Sequence, residues 1–229
     1  MRRTAPARRN IEKVSLFVTG TDTGVGKTHT IIQLLRLLRR SGVSCAGFKP
    51  ICCGDRNDAE QIVRASNASL TIDDINPIWL KAPLAPLPAA RIENVSVEID
   101  QIFGAFSSLR ARVEVVIVEG VGGWLVPIRT DYFVSDLAAE MSLPVLVVAM
   151  NRLGCLNHTF LTVKSVQERG LCCVGVSLNE IPGANDLAIC SNADVLREFL
   201  DVPVLPACSV QASELSPIWQ QTLGVTSQT

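Results

Sequence analysis

Short apolar runs alternate with longer runs of helical spacing along almost the whole chain. The run VSLFVTG begins at residue 14, and VEVVIVEG, LPVLVVAMN and LCCVGVSLNE follow it in order. Continuous runs rich in Val, Leu and Ile are typical of strands that are buried on both faces of a parallel sheet. The pattern predicts a doubly wound α/β fold, a mostly parallel sheet with helices on both faces.

The polar positions between these runs predict the connecting elements. Residues 28–40 have a broad apolar face and end in basic residues, which indicates a helix that stops near Gly42. Further helices are expected over 58–67 and 97–110, and in HTFLTVKSVQERG and NADVLREFL, with short strands in SCAGFKP and VPVLPA. The proline-rich residues 71–97 have no clear pattern, and NPIWLKAPLAPLPAAR within them, residues 76–91, is interpreted as an irregular connection that packs over the site.

Composition narrows the classes of function. The chain has 229 residues and a formal net charge of −1, so no basic field indicates nucleic acid or an acidic membrane surface. It contains no apolar run of about 20 residues, which argues against a membrane span. None of its eight cysteines forms a CxxC pair, which favours reduced thiols in a cytoplasmic protein over a zinc site.

The two ends of the chain differ in character. Residues 1–12 are basic and are predicted to form a disordered tail, with an organelle-targeting peptide as the alternative. Residues 13–229 contain no internal repeat and no low-complexity linker, and they are predicted to form a single P-loop-like α/β domain.

The loop after the first predicted strand reads GTDTGVGKT. Five residues separate Gly20 from Gly26, one more than in the common phosphate-binding pattern. Glycines let backbone N–H groups converge on phosphate oxygens, and the following helix N-terminus attracts anions. Lys27 can reach the terminal phosphates and the Thr28 hydroxyl can bind a magnesium ion, so the loop predicts a nucleotide site.

Two further charged residues follow predicted strands. Glu119 ends the run VVIV and Lys49 ends SCAGF, so both are expected at the carboxyl edge of the sheet, facing the first loop. Glu119 can bind magnesium, together with Asp58 or Asp55, between which spacing does not decide. A second lysine beside the phosphates suits a developing anion in phosphoryl transfer, or an anionic acceptor.

These motifs together resemble those of the dethiobiotin synthetase family. The resemblance is carried by GTDTGVGKT, GFKP, VEGVGGW and RLGCLNH, in that order, from about Val14 to Leu205. It implies a cyclo-ligase that forms the ureido ring of dethiobiotin from 7,8-diaminononanoate, CO2 and ATP with Mg²⁺, through a phosphorylated carbamate. It also implies a cytoplasmic homodimer, with the substrate site near the subunit interface.

The resemblance also implies roles for particular residues. The implied catalytic residues are Lys49, Lys27 and Thr23, and the implied metal ligands are Thr28, Asp58 and Glu119. The implied nucleotide contacts are Gly24, Val25, Gly26, Lys27, Thr28, His29, Asp58, Glu119, Gly120, Val121, Gly122, Asn179 and Glu180, with Asn179 reading adenine and Pro206, Ala207 and Cys208 lining the base. The implied substrate contacts are Lys49, Cys53, Gly154, Cys155, Leu156 and Asn157.

Three positions depart from the family pattern, and three other classes compete with it. Cys53 replaces a common serine, APLAPLPAAR lacks a common serine and histidine, and Glu180 replaces a common aspartate; these changes concern substrate contacts more than the reaction.

The competing classes of protein are switch ATPases, amidotransferase synthases and a catalytically inactive binding module. The loop lacks the second lysine of the switch ATPases, and the chain is too short for an added glutaminase domain.

Overall fold

The computed structural model describes residues 14–66, 69–180, 187–205 and 217–223. The predicted tail of residues 1–12 lies outside these ranges, and so do Pro206, Ala207 and Cys208. The predicted α/β architecture is confirmed within them, since a parallel central sheet alternates with helices along the chain.

Six strands form the central sheet, and every pairing within it is parallel. They are β1 (Val14–Gly20), β2 (Cys45–Phe48), β5 (Val115–Glu119), β8 (Val145–Met150), β9 (Cys173–Asn179) and β10 (Val204–Leu205). Their order across the sheet is β10-β9-β8-β1-β5-β2. Because all six run the same way, their carboxyl ends share one edge, and β1 ends between β8 and β5.

Nine helices connect or flank the strands within the described ranges. They are α1 (Lys27–Arg40), α2 (Asn57–Ala65), α3 (Ile72–Ile75), α4 (Pro86–Glu93), α5 (Ile99–Arg112), α6 (Val134–Met141), α7 (Cys155–Glu168), α8 (Ile189–Phe199) and α9 (Pro217–Thr222). Two small pairs complete the strands, β3 (Ile51–Cys53) with β4 (Ile78–Leu80), and β6 (Pro127–Arg129) with β7 (Tyr132–Phe133).

The interpretation of residues 76–91 as an irregular connection is wrong in large part. This segment contains β4 and most of α4, α3 precedes it, and β4 pairs in parallel with β3. Pro86 lies in the first turn of α4, where its missing N–H removes no helical hydrogen bond. Thr71 begins α3 with a capping box, in which its hydroxyl accepts from the Asp74 N–H. The prolines mark the starts of elements here and do not exclude them.

The core lies between the sheet and the helices on its two faces. All five residues of β5 are buried, which its continuous apolar run requires. Helix α1 buries Ile31, Leu34 and Leu38 completely against the sheet, each contributing roughly 1.5–3 kcal/mol by burial. Helix α2 approaches β2 so closely that a Cβ on Gly47 would lie 2.3 Å from Ile62 Cγ2. No helix of the described ranges is long and apolar enough to cross a membrane.

Candidate active site

A cavity of about 640 Å³ opens at the carboxyl edge of β1, β2 and β5. The loop after β1 contributes Thr23, Gly24, Gly26, Lys27 and Thr28 to its lining. The loops after β2 and β5, with β3 and α2, contribute Lys49, Cys53, Asp58, Glu119, Val121 and Gly122. The structure therefore brings together, in one cavity, predicted residues from segments about 100 positions apart.

The loop between β1 and α1 has the backbone of a phosphate-binding loop. Gly24 and Gly26 have φ of +74° and +89°, a left-handed conformation that side chains disfavour. Helix α1 begins directly after Gly26 with no acidic residue in its first turn, so its N-terminus keeps its partial positive charge. Thr23, Lys27 and Thr28 face the cavity, while His29 lies exposed beside them. The loop therefore has the backbone conformation and the partial positive charge that anion binding requires.

The second lysine is in contact with two carboxylates. Lys49 Nζ lies 2.6 Å from Glu119 Oε1 and 3.3 Å from Asp58 Oδ2. The Thr28 hydroxyl donates to the same Glu119 oxygen at 2.8 Å. Lys49 and Glu119 are buried, whereas the Asp58 side chain is 48% exposed in the cavity. Because β2 and β5 are neighbours, with Phe48 opposite Val118, Lys49 and Glu119 leave the sheet side by side.

The two lysines have opposite electrostatic environments. Burial is the main cause that lowers the pKa of Lys27 to about 8. The carboxylate of Glu119 offsets only part of this effect, and the positive charge of Lys49 lowers the pKa further. Burial also disfavours the charged form of Lys49, but Glu119 and Asp58 outweigh it and raise the pKa of Lys49 above its ordinary value. Lys49 is therefore charged near pH 7. Among the described residues no carboxylate forms an ion pair with Lys27, whose ammonium donates to the Asp22 carbonyl oxygen at 3.2 Å.

The oxygen atoms of this cluster suit a magnesium ion that also binds phosphate. Glu119 Oε2 is buried and has no hydrogen-bond partner, which is costly unless a cation or donor approaches it. The Thr28 hydroxyl and the exposed Asp58 carboxylate add two hard oxygen ligands. The described residues contain no group of three His, Cys, Asp or Glu side chains that would hold a metal alone. Such a site depends on phosphate oxygens, which is the usual case for Mg²⁺.

The two candidate aspartates differ in their contacts. Asp58 pairs with Lys49, while Asp55 Oδ1 accepts from the Asn57 backbone N–H at 3.0 Å at the start of α2. Both line the cavity. The shared contact with Lys49 favours Asp58 as the residue that acts together with Glu119.

The loop after β5 closes one side of the cavity. Gly120 N–H donates to the Val18 carbonyl at 2.9 Å, which ties this loop to β1. Gly122 has φ of +63°, and a Cβ there would lie 2.8 Å from Val126 Cγ2, so both the backbone conformation and the packing within this loop require glycine. Val121 and Gly122 lie in the cavity lining, whereas Gly120 is buried behind them.

Asn179 and Glu180 lie at the end of β9, behind the phosphate loop. The Asn179 amide nitrogen donates to the carbonyl oxygens of Val25 and Gly26, at 2.9 and 3.1 Å. Glu180 Oε1 accepts from the Asn151 amide at 2.9 Å. The side chain of Asn179 thus contacts loop backbone, and the predicted base-lining Pro206, Ala207 and Cys208 lie outside the described residues.

The predicted substrate segment Gly154–His158 does not line this cavity. It forms the start of α7, with Gly154 at φ of +89° before the first turn. β8, which precedes it, lies on the opposite side of β1 from β5 and β2. The neighbouring Leu153 and Leu161 are 81% and 61% exposed. The structure thus separates Gly154, Cys155, Leu156 and Asn157 from Lys49 and Cys53 within one chain.

Several lining residues had no clear signal in the sequence. The turn before α4 contributes Pro83, Leu84 and Ala85, α4 contributes Pro86, and β3 contributes Ile51 and Cys52. Their only signal was the proline-rich composition that suggested a segment packed over the site. Burial raises the pKa of both Cys52 and Cys53 to about 11, so both are neutral thiols near pH 7.

A glycine-rich loop on a central parallel strand, with lysines and a carboxylate at the same sheet edge, defines a P-loop nucleotide-binding protein. The family model described as "AAA domain" matches residues 14–216. The "ATP-dependent dethiobiotin synthetase BioD" of Akkermansia muciniphila is 44% identical over 191 residues, which cover 83% of this chain and 90% of that protein. The protein of the same name from Aromatoleum aromaticum is 43% identical, over 82% of this chain and 87% of its own length. The chain belongs to the ATP-dependent dethiobiotin synthetase family.

Solved structures bear on the fold alone. The septum site-determining protein MinD of Pyrococcus horikoshii, complexed with Mg-ADP, is similar with a TM-score of 0.50 at 16% identity, covering 84% of this chain and 79% of that chain. The MinC:MinD cell division complex of Aquifex aeolicus gives 0.51 at 14% identity, covering 85% and 81%. Both support the α/β architecture.

Proposed function

We propose that the protein is an ATP- and Mg²⁺-dependent cyclo-ligase that forms the ureido ring of dethiobiotin from 7,8-diaminononanoate and CO2. The relatives are named as ATP-dependent dethiobiotin synthetases, and they match this chain over most of its length. The observation that carries the proposal is the position of Lys49 beside Glu119 and Asp58, in the same cavity as the phosphate loop.

The proposed reaction joins two anions and therefore needs concentrated positive charge. One substrate amine adds to CO2 and loses a proton, which gives a carbamate. A carbamate oxygen attacks the γ-phosphorus of ATP, ADP leaves, and a mixed anhydride of carbamic and phosphoric acid forms. The second amine attacks its carbonyl carbon, loses a proton, and phosphate leaves as the ring closes. Simple hydrolysis of ATP brings no second anion to the γ-phosphate, so it has less need of a second buried lysine.

Lys27 and the loop backbone bind and orient the phosphates in this scheme. The N–H groups of the loop and the N-terminus of α1 hold the phosphate oxygens, and Lys27 adds charge at the terminal phosphates. Thr23 lies in the cavity lining, 3.5 Å from the position of a Cβ on Gly122, and provides a hydroxyl at the same place. A bound Mg²⁺ ion supplies neutralisation of charge on the phosphate oxygens, held by Thr28, Asp58 and Glu119.

Lys49 stabilises the carbamate and the transferring phosphoryl group. Glu119 and Asp58 raise its pKa, so the side chain is charged near pH 7. A charged ammonium suits electrostatic stabilisation and not general base catalysis. Cys53 borders the same cavity as a neutral thiol, a weaker hydrogen-bond donor than a serine hydroxyl.

We propose that two copies of the chain form a homodimer and share the substrate site. Supporting this, the segment Gly154–His158 lies away from its own cavity and is followed by exposed Leu161. In the proposed dimer this helix N-terminus faces the partner's cavity and receives the carboxylate of the substrate. Sedimentation equilibrium tests this directly, since a monomer with full activity contradicts it.

We further propose a reducing, cytoplasmic location. It is supported by the free thiols of Cys52, Cys53, Cys155, Cys172, Cys173 and Cys190.

The test of the proposed function is phosphate release that depends on the diamine. Purified protein is given ATP, Mg²⁺, bicarbonate and 7,8-diaminononanoate, and phosphate is measured with each component omitted in turn. The proposal requires release only in the complete mixture, with dethiobiotin as the product in mass spectrometry. Phosphate release without the diamine indicates a switch ATPase, and binding of ATP without release indicates a catalytically inactive relative.

A further inference from the structure

Strand β2 is the outermost strand on its side of the central sheet, so no strand of the described residues pairs with the outer edge of its backbone. The pairing of β2 with β5 ends at Phe48, one residue before Lys49. Lys49 is followed by Pro50, which has no backbone N–H. Because Lys49 is buried, with 5% of its surface exposed, its backbone N–H and C=O need partners from outside the sheet.

The segment at the end of α3 supplies these partners. The Lys49 N–H donates to the Ile75 carbonyl oxygen at 2.8 Å, and the Pro50 carbonyl oxygen accepts from the Ile78 N–H at 3.2 Å. Between these two bonds, the Asn76 side-chain nitrogen donates to the Lys49 carbonyl oxygen at 2.8 Å. Of these three hydrogen bonds, the one from Asn76 comes from a side chain, so a substitution can remove it.

Both ends of the Asn76 amide have hydrogen-bond partners, which fixes its orientation. Its nitrogen donates to the carbonyl oxygens of Lys49 and Ile78, at 2.8 and 2.9 Å, and its oxygen accepts from Arg56 Nε at 2.8 Å. A carbonyl oxygen only accepts and a guanidinium only donates, so the reverse orientation would lose all three bonds. Asn76 is 1% exposed, so water does not compete for these contacts.

Arg56 connects Asn76 to the element that bears the second carboxylate partner of Lys49. It lies directly before α2, and its guanidinium also donates to the Asn76 carbonyl oxygen at 2.9 Å. Asp58 lies in the first turn of α2, where its carboxylate contacts Lys49 Nζ. Asn76 thus holds the Lys49 backbone on one side and the start of α2 on the other.

We infer that Asn76 is a positioning residue for Lys49, which holds the lysine backbone where β2 ends so that the ammonium lies beside Glu119 and faces the transferring phosphoryl group. Asn76 does not line the cavity, so it acts through Lys49 and not on the substrate. Its effect on catalysis rests on the role proposed for Lys49 in ring closure, whereas its contact with the Lys49 backbone is independent of that role.

Steady-state kinetics of Asn76→Ala test the effect on catalysis. A displacement of the lysine by about 1 Å is enough to slow the reaction, so we expect kcat for diamine-dependent phosphate release to fall by about 10- to 100-fold. Affinity for ATP in calorimetry should stay within about twofold, because the phosphate loop is unchanged. In the Lys49→Ala background, Asn76→Ala should change kcat by less than about twofold, since no ammonium is left to position. An equal loss in both backgrounds would overturn the inference.

Ser66→Ala is the matched control, because Ser66 supports the outer edge of β2 at Gly47, two residues before Lys49. Its buried hydroxyl accepts from the Gly47 N–H at 3.1 Å and donates to the Ile62 carbonyl oxygen at 2.9 Å. We expect Ser66→Ala to lower the melting temperature, as Asn76→Ala does, but to keep kcat within about twofold. Equal losses of kcat in the two variants would show that any loosening of β2 slows the reaction, which contradicts a specific role of Asn76.

Asn76→Asp keeps the test decisive if Asn76→Ala does not fold. It has nearly the same size and still accepts from Arg56, but it presents an oxygen to the Lys49 carbonyl. Beside the Arg56 guanidinium this carboxyl stays ionised and cannot donate. We expect it to lower kcat at least as much as alanine does, and wild-type kcat in this variant overturns the inference.

Hydrogen exchange of backbone amides, followed by NMR without nucleotide, tests the contact itself. Either Asn76 variant should speed exchange of the Lys49 N–H by about tenfold or more and leave the Gly47 N–H within about twofold, and Ser66→Ala should do the reverse. An unchanged Lys49 amide overturns the inference whatever the activity. If the wild-type protein releases no phosphate with the diamine, the proposed function fails, and the exchange rates still decide whether Asn76 holds Lys49.

Discussion

The Lys49 ammonium lies 2.6 Å from Glu119 Oε1, and this contact joins the ends of the neighbouring strands β2 and β5. Both residues are buried, so the pair is held in one geometry at the floor of the cavity. The same Glu119 oxygen accepts from Thr28 at the start of α1. One carboxylate therefore connects the second lysine to the phosphate loop, and changes at any of the three residues are expected to act on the same chemistry.

Replacing Lys49 separates catalysis from nucleotide binding. We expect Lys49→Ala to lower kcat by about 100- to 1000-fold or more, because it removes positive charge that acts on the carbamate and the transferring phosphoryl group. Affinity for the nucleotide should stay within a few-fold, since the loop and Lys27 remain. Steady-state kinetics and calorimetry measure the two quantities. Lys81→Ala is the control, an exposed lysine outside the cavity lining; equal losses of kcat and affinity at Lys49 would make it only a phosphate-binding residue.

The two carboxylates that contact Lys49 should contribute very differently to stability. Glu119→Gln leaves the buried ammonium with a weaker partner, and we expect a loss of about 3 kcal/mol in the free energy of unfolding. Asp58→Asn affects a side chain that is 48% exposed, and should cost less than about 1 kcal/mol. Urea denaturation without nucleotide compares the variants. Equal losses would contradict the unequal burial of the two pairs.

Two glycines of the phosphate loop form a matched pair. Gly24→Ala and Gly26→Ala both force a side chain into positive φ, which costs roughly 1–2 kcal/mol each. Around Gly24 no atom lies within 4 Å of the added Cβ, but at Gly26 the Cβ would lie 2.5 Å from Asn179 Nδ2. We expect Gly26→Ala to abolish measurable ATP binding, while Gly24→Ala weakens it by about tenfold. Calorimetry would contradict this if both variants bind equally.

Nucleotide binding should take up a proton above about pH 8. Burial lowers the pKa of Lys27 to about 8, so the free protein loses this charge as the pH rises through that value. Phosphates favour the ammonium and raise its pKa in the complex, hence affinity is fully present below pH 8 and declines above it. Metal-free calorimetry at pH 9, in two buffers of different ionisation enthalpy, measures the uptake. Lys27→Arg stays charged and should show none; uptake that is equal in this variant would assign the proton to another group.

The sequence was sufficient for the elements whose pattern is set by burial. VSLFVTG and VEVVIVEG predict buried strands, and both are found, because a strand covered on two faces must be apolar at every position. Because the carboxyl ends of parallel strands lie at one edge of the sheet, the sequence also predicts that Lys49, Glu119 and the first loop lie close together. Helix α4 was missed because Pro86 is compatible with both a turn and a first helical turn.

Contacts between side chains and backbone across the sheet were not predictable in this way. The amide of Asn179 reaches residues more than 150 positions earlier in the chain, and no local pattern encodes that pairing. Asn192 lies in an amphipathic helix, and its sequence does not indicate that it is buried and donates a hydrogen bond to Asn151. Glu119 and Asp58 were foreseen as metal ligands, but their shared contact with Lys49 depends on the approach of α2 to β2.

Diamine-dependent phosphate release by the purified protein is the most direct measurement of the proposed ring-closing ligase. With ATP, Mg²⁺ and bicarbonate present, adding 7,8-diaminononanoate should start phosphate release, with one dethiobiotin formed per phosphate, and Lys49→Ala should lack both. Phosphate release that does not change when the diamine is added, with no ureido product, would contradict the proposal.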